Sequence, residues 1–157
     1  MSEHTIISLG EMLEATFIER PNRYLGIADL NGERIRAHVP DPGRLSELLV
    51  PGARVYVRRA NPTNTERKTQ YDLLLVDFEN TGVLVSIYTQ LPNRLMRGAF
   101  ESALVPEFAD HRIVRPEFRH GASRLDFRLS IAEEGPHAYV EVKSVSLLRD
   151  GVGMFPD

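Results

Sequence analysis

In YLGIADLNGERIRAHV, residues 24–39, two runs of strand-forming residues flank the pair Asn31-Gly32. Asparagine and glycine both tolerate positive φ, which a two-residue type I′ turn requires. The runs 24–30 and 33–39 are therefore predicted to pair as a β-hairpin. The segment that follows, Pro40-Asp41-Pro42-Gly43, stops the second strand, because proline and glycine are poor strand residues and favour turns.

Further strands and one short helix surround this hairpin. The sequence predicts strands at 13–19, 54–59, 71–78 and 83–88, and a helix at 44–49 that ends before Pro51-Gly52. About five short strands with one small helix in ~85 residues are typical of a compact barrel of the oligonucleotide-binding (OB) kind. Other small barrels fit the same pattern.

Charge is distributed unevenly along the 157 residues. The net charge is −3, but residues 20–70 carry ten bases and five acids, a net charge of +5. A basic segment in an acidic chain indicates a phosphate-facing surface, although an arginine-rich strand face is more often simply solvated. The residues predicted to bind nucleic acid on this surface are Arg34, Arg36, His38, Arg44, Arg58 and Arg59, with Tyr24 and Tyr56 available for stacking on bases.

The C-terminal part has a different pattern. From Pro92 to Val105 apolar residues recur at helical spacing, and Asn93 is in position to cap the helix. Three strands are predicted after it, near 111–119, 123–131 and 138–145. A helix followed by three strands is the front half of a nuclease-like α/β unit. The predicted architecture is therefore α+β, with a five-stranded OB-fold-like barrel at 1–88 and a partial nuclease-like domain at 89–157.

The candidate catalytic residues lie on the last two predicted strands. Glu141 and Lys143 share one face of an extended strand, and a hairpin brings them to Asp126 on the strand before. Two carboxylates suit a hard cation such as Mg²⁺, which takes oxygen ligands and leaves positions for a phosphate. Lys143 would then orient or deprotonate a water. The ordinary alternative is a solvated surface with a weak Glu-x-Lys ion pair.

Two features favour the catalytic interpretation. Of the nineteen lysines and arginines only Lys68 and Lys143 are lysines, and arginine cannot serve as a base. Apolar neighbours also flank Asp126 and Glu141, so that both carboxylates are anchored by strands that face a core. Glu101, on the predicted helix, is a further metal or water contact, for which the ordinary account is a weak surface pair with Arg97.

Composition excludes some classes. The chain has no cysteine, which removes disulfides and thiolate metal sites. No run approaches the eighteen apolar residues of a membrane-spanning helix, and the N-terminus lacks the pattern of a secretory signal. We therefore expect a soluble cytoplasmic protein that does not bind membranes.

Five segments together resemble the sugar fermentation stimulation protein family. They are His38-Val39-Pro40-Asp41-Pro42-Gly43-Arg44-Leu45, Pro92-Asn93-Arg94-Leu95, Ser123-Arg124-Leu125-Asp126-Phe127, Tyr139-Val140-Glu141-Val142-Lys143-Ser144-Val145 and Phe155-Pro156-Asp157. The resemblance implies an OB-type barrel, a domain similar to the PD-(D/E)xK nucleases, and DNA binding. The nuclease signature then falls on Asp126, Glu141 and Lys143, with Glu101 or Glu117 as an additional acid. Leu125 replaces the leading proline of the signature.

Members of this family are expected to continue beyond Phe155-Pro156-Asp157 into a helix and a further strand. The C-terminal domain is accordingly expected to be truncated and to expose apolar surface or pair with something. The predicted function is DNA binding with a Mg²⁺-dependent phosphodiesterase site. The alternatives are a DNA-binding regulator of sugar metabolism, of the maltose type, without catalysis, and a barrel that binds a protein partner. RNA in place of DNA remains open.

Overall fold

The computed structural model describes residues 6–61, 67–132, 135–149 and 152–155. The N-terminal strands are β1 (Leu13–Asn22), β2 (Leu25–Leu30), β3 (Glu33–His38), β4 (Arg54–Arg59), β5 (Tyr71–Phe78) and β6 (Val83–Ser86). They form one sheet in the order β3-β2-β1-β4-β5-β6. A parallel pairing of β3 with β5, through Ala37 and Tyr71, closes the first five strands into a barrel. The predicted five-stranded OB-type barrel is confirmed.

The hairpin of β2 and β3 has the predicted turn. Asn31 and Gly32 have φ of 56° and 88°, and Asp29 Oδ1 accepts a hydrogen bond from the Gly32 amide at 3.0 Å. The barrel is filled by side chains that alternate along its strands, among them Phe17, Val55 and Leu73. Each strand therefore presents its other face outward, and this places the charged residues of β3 and β4 on the barrel surface.

The helix predicted at 44–49 is absent. Leu45 has φ of 52°, a left-handed conformation that no α-helix can pass through, and residues 46–48 form a turn in its place. The carbonyl of Leu45 accepts hydrogen bonds from the amides of Leu48 at 3.1 Å and Leu49 at 2.8 Å. Leu45, Leu48 and Leu49 all pack into the barrel core. Their burial, rather than a helix, fixes this segment.

The second sheet belongs to a separate unit. Its elements are α1 (Leu91–Glu101), a 3₁₀ turn (Pro106–Phe108), β7 (Arg112–His120), β8 (Ser123–Ser130) and β9 (His137–Val140). The three strands are antiparallel in the order β7-β8-β9. Phe100 of α1 meets Phe127 of β8 edge-on at 5.6 Å, and Leu129 is buried beside them. This small core fixes α1 against the strand that carries Asp126.

Three details of this unit differ from the sequence prediction. The helix ends at Glu101 instead of Val105, because Ala103 is left-handed with φ of 51° and closes the C-terminus. Asn93 lies inside the first turn and is not the cap, which is Gln90. The strand predicted at 138–145 ends at Val140, so Glu141 and Lys143 lie just beyond it.

Backbone contacts divide the chain close to the predicted boundary at 88/89. One unit runs from Leu9 to Thr89, and the other comprises Gln90–Ser144 with the N-terminal segment up to Ser8. The segment from Val145 belongs with the barrel unit. There β10 (Leu147–Arg149) and β11 (Val152–Met154) form a hairpin, and Leu148 packs against the barrel core. This hairpin was not predicted from the sequence.

Large apolar side chains are exposed in both units. Val114, Ile131 and Tyr139 are exposed in the unit of the second sheet, and Val152, Met154 and Phe155 are exposed at the C-terminal hairpin. Among the described residues no helix is long and apolar enough to cross a membrane.

Candidate functional site

The carboxylate of Asp126 is held by two protein donors. Its Oδ1 accepts a hydrogen bond from Asn93 Nδ2 at 2.6 Å, and its Oδ2 accepts one from the Val142 amide at 2.8 Å. Asn93 comes from α1, and Val142 from the segment that follows β9. These bonds fix the orientation of Asp126, because a carboxylate with two directed donors has little freedom to rotate. Asp126 is part-buried.

Glu141 and Lys143 form an ion pair next to this carboxylate. Lys143 Nζ donates to Glu141 Oε1 at 2.5 Å, and the Glu141 and Lys143 side chains are 38% and 56% exposed. In the β8–β9 pairing Phe127 lies opposite Val140. Asp126 directly precedes Phe127 in β8, and Glu141 directly follows Val140, the last residue of β9. The hydrogen bond from the Val142 amide to Asp126 holds the two segments together there. Glu141 and Lys143 thus flank Val142, whose amide binds Asp126; that the two carboxylates share a cation with Lys143 on the same side stays a prediction.

The donor set suits a hard cation. Mg²⁺ and Ca²⁺ take oxygen ligands, and Mg²⁺ is commonly held by one or two carboxylates and several waters. Each Asp126 oxygen has a lone pair left after its hydrogen bond. Lys143 makes its closest contact with Glu141 Oε1, so that Oε2 is the Glu141 oxygen farther from the ammonium group. Asp126 and Glu141 therefore fit as ligands.

A third carboxylate does not join them. Within 6–61, 67–132, 135–149 and 152–155, no three His, Asp or Glu side chains are gathered as a metal-binding group. The predicted set of Asp126, Glu141 and Glu101 is therefore not assembled. Glu101 is the last residue of α1 and is exposed. Glu117, the other acid that the family resemblance implied, pairs with Arg124 at 2.7 Å on the protein surface.

On the barrel, Arg34 and Arg36 share a groove with Lys68. This barrel groove has a volume of about 190 Å³ and is lined by Glu33, Arg34, Ile35, Arg36, Lys68 and Gln70. Arg34 also pairs with Glu19 at 3.1 Å. OB folds bind ligands on the face of their second and third strands and on the loops β1–β2 and β4–β5. The groove lies on β3 and the end of the β4–β5 loop, which is the expected region.

His38, the last residue of β3, lies beside Tyr24 of the β1–β2 loop, at the end of β3 away from the groove. Their rings are stacked, with centroids 6.4 Å apart and planes inclined by 17°. Tyr24 is exposed and belongs to the β1–β2 loop. An exposed ring there is available to a base, since stacking on aromatic side chains needs no particular sequence.

The remaining predicted arginines have different environments. Arg58 is part-buried: it pairs with Asp72 at 3.3 Å, donates to the Leu9 carbonyl at 3.2 Å and lies over the Tyr88 ring. Its charge is thus engaged within the barrel. Arg59 is exposed and lies 5.5 Å from the centroid of Tyr71, at the start of the β4–β5 loop. Arg44 is exposed in the segment before the Leu45 turn.

Arg20 is a structural residue that sequence reasoning missed. Its guanidinium donates to the carbonyls of Gly43, Arg44, Arg23 and Asp41, at 2.6–2.8 Å. Burial lowers the pKa of Arg20; the Asp41 carboxylate opposes this and Arg23 adds to it. The side chain remains protonated, because arginine keeps its charge in proteins. Arg20 thus fixes the Pro40–Arg44 loop, and no local signal in the sequence points to contacts over 21–24 residues.

The fold and the environment of Asp126 define a class: a protein with an OB-type barrel, followed in the chain by a small sheet with one helix, whose Asp126 is held by Asn93 and the Val142 amide. Residues 18–87 match the profile described as the SfsA N-terminal OB domain, and residues 90–157 match the sugar fermentation stimulation protein RE domain. The chain belongs to the sugar fermentation stimulation protein family.

Relatives agree with this assignment. The chain is 44% identical to the sugar fermentation stimulation protein homolog of Moorella thermoacetica over 146 residues, which are 93% of this chain and 61% of the relative. It is 41% identical to the homolog of Methanothermobacter thermautotrophicus over 145 residues, 92% of this chain and 58% of the relative. The chain thus spans less than two thirds of these relatives.

A solved structure is similar over the same region. It is described as the structure of Pyrococcus furiosus SfsA in complex with Ca²⁺, and it superimposes with a TM-score of 0.79 at 30% sequence identity. The match covers 99% of this chain and 64% of that one. The fold of both units is therefore shared with a member of the family.

Proposed function

We propose that this protein binds DNA through its barrel and cleaves phosphodiester bonds at Asp126, Glu141 and Lys143 in the presence of Mg²⁺. The observation on which the proposal rests is the Asp126 carboxylate, fixed by Asn93 and the Val142 amide beside the Glu141–Lys143 pair. Membership of a family whose solved member was described with Ca²⁺ supports a divalent cation here.

Each residue of the proposed site would have a separate role. Asp126 and Glu141 would hold the cation, which when bound polarises a phosphodiester and lowers the pKa of a water. Asn93 and the Val142 amide keep Asp126 aimed in one direction. Lys143 would orient a water, exchange a proton with it and offset negative charge on the phosphate. The ion pair with Glu141 sets the position of this ammonium group.

The direct test is incubation of the protein with labelled DNA and RNA oligonucleotides, with and without Mg²⁺ or Mn²⁺. A full-length relative, such as the Moorella thermoacetica homolog, serves as the parallel sample, since this chain covers 61% of it. We expect products that depend on the metal and disappear with EDTA. If neither protein cuts any substrate with either metal, the phosphodiesterase proposal fails.

Nucleic-acid binding by the barrel is tested separately by its dependence on salt. The double variant Arg36→Ala/Lys68→Ala removes two positive charges from the barrel groove. The slope of log affinity against log salt should become shallower by about 1.4 for single strands, because each phosphate contact contributes roughly 0.7. Fluorescence anisotropy over a salt series measures it.

The matched control for this prediction is Arg112→Ala/Arg149→Ala, which removes the same charge from exposed positions outside the groove. The control should retain the wild-type slope. Equal slopes for the groove variant and the wild type would assign DNA binding to another surface.

A second candidate function is a DNA-binding regulator of sugar metabolism in which the nuclease-like unit does not catalyse. The observation in its favour is that both Asp126 oxygens and one Glu141 oxygen already have protein partners. The curated relatives are named for sugar fermentation stimulation. DNA binding that depends on salt, without cleavage under any metal, would establish this alternative.

A further inference from the structure

Three arginines line a surface groove on the hairpin of β7 and β8. This arginine groove has a volume of about 350 Å³ and is lined by Arg115, Glu117, Arg119 and Arg124. Three guanidinium groups face one carboxylate, so the groove has a net positive charge. Arg115, Arg119 and Arg124 are all exposed. Their positions predicted no binding role for them, because residues 71–157 carry nine bases and thirteen acids and are acidic as a whole.

Glu117 lies between Arg115 and Arg119 on β7, lines the groove with them, and has an uncommon backbone conformation. Its φ is 45° within a β-strand, a left-handed conformation that costs a non-glycine residue free energy. Glu117 Oε2 accepts a hydrogen bond from Arg124 at 2.7 Å, and both side chains are exposed. An exposed ion pair of this kind contributes little to stability, so that Arg124 can leave Glu117 for another anion at small cost.

The groove lies along the same strand as the candidate catalytic carboxylate. Arg124 precedes Asp126 by two residues on β8, which is about 7 Å in an extended strand. On β7, Arg119 lies opposite Arg124, and Arg115 lies opposite Arg128. The arginines thus form a track over two neighbouring strands next to Asp126, and not a single enclosed pocket.

We propose that the arginine groove binds the phosphates of a nucleic-acid strand that flank the phosphate at Asp126. This inference rests on the proposed function and assigns the substrate contacts of its site. A linear array of arginines suits a phosphodiester backbone, because each guanidinium offers paired donors to a phosphate. An open groove with an exposed rim also admits a polymer that continues in both directions, which a site for a small free anion does not require.

The test is the double variant Arg115→Ala/Arg119→Ala, examined by anisotropy with a labelled single-stranded DNA oligonucleotide in EDTA. Loss of two phosphate contacts should make the salt slope shallower by about 1.4 and reduce affinity roughly tenfold at low salt. The charge-matched control is Arg97→Ala/Arg112→Ala, two exposed arginines that do not line the groove. The control should bind like the wild type.

Glu117→Gln is expected to strengthen binding of the oligonucleotide, whereas the double arginine variant is expected to weaken it. The substitution removes the negative charge from the groove and releases Arg124, so affinity for the oligonucleotide should rise several-fold and the salt slope should steepen. A gain of binding in a variant whose circular dichroism spectrum matches that of the wild type cannot be assigned to misfolding. This variant therefore keeps the inference testable if the double arginine variant is unstable.

The outcomes separate the inference from the proposed function. If the wild type binds and the barrel-groove variant weakens binding, but Arg115→Ala/Arg119→Ala and Glu117→Gln both match the wild type, the arginine groove is a solvated surface and the proposed function stands. If the groove and control double variants weaken binding equally, the effect is one of net charge and the inference is wrong. If the wild type binds no DNA or RNA, both fail.

Discussion

Asp126→Ala is expected to lower the rate of Mg²⁺-dependent cleavage by at least about a hundredfold, because a shift of roughly 1 Å at a catalytic centre has effects of this size. The substitution removes a carboxylate proposed as a ligand of the cation. It also leaves Asn93 Nδ2 and the Val142 amide without their acceptor. The segment that carries Glu141 and Lys143 then loses one hydrogen bond to β8, although the pairing of β8 with β9 up to Val140 remains. Initial rates at saturating Mg²⁺ measure the effect.

Asp126→Asn separates these two contributions. Asparagine keeps the shape and can still accept the bond from the Val142 amide, but it carries no charge. We expect Asp126→Asn to fold like the wild type, to require more Mg²⁺ for half-maximal rate, and to cleave slowly. Glu107→Gln, an exposed acid in the 3₁₀ turn, is the control for loss of one negative charge. If Asp126→Asn cleaves at the wild-type rate, Asp126 is not a metal ligand.

Local signals in the sequence were sufficient for the barrel. The Asn31-Gly32 turn depends on the backbone freedom of those two residues alone, and the strands at 54–59 and 71–78 have the predicted bounds. Alternation between buried and exposed residues sets each strand face, and closure follows when β3 reaches β5. Leu45 is an exception, because its left-handed backbone is imposed by burial of the leucines that follow it. The helix-like pattern of residues 44–49 gives no sign of this left-handed residue.

The sequence allowed a prediction of the candidate site but not of the side chains that support it. Strand alternation and hairpin pairing predicted that Asp126, Glu141 and Lys143 lie near one another, and their role as a site stays a prediction. The role of Asn93 was not predictable, since an asparagine early in a helix usually caps it and this one instead donates across 33 residues to Asp126. Arg58 was likewise predicted to contact phosphate. Nothing in the sequence indicated its ion pair with Asp72, which forms only because β4 and β5 lie side by side in the sheet.

Lys143→Arg is expected to lower metal-dependent cleavage by roughly 10²–10⁴-fold, the range for loss of a positioned general acid or base, while DNA binding stays close to the wild type. Arginine keeps the positive charge and so retains most of the attraction for phosphate. It cannot accept a proton at neutral pH, and its planar fork replaces a compact ammonium group. Cleavage rate and affinity should therefore change independently.

Lys143→Ala and Lys143→Arg together distinguish charge from proton transfer. If Lys143 acts on the water, both variants lose cleavage to a similar extent, and the arginine variant differs only by its nearly intact binding. If Lys143 is an electrostatic anchor, arginine restores cleavage and alanine does not, and the proposed role is wrong. Lys68→Arg is the matched control: it is the same substitution at the chain's other lysine, in the barrel groove, and it should leave cleavage unchanged. Because Glu141 pairs with Lys143 at 2.5 Å and an arginine can form the same pair, a loss of cleavage in Lys143→Arg would reflect the compact shape of the amine or its proton transfer, and not the loss of positive charge.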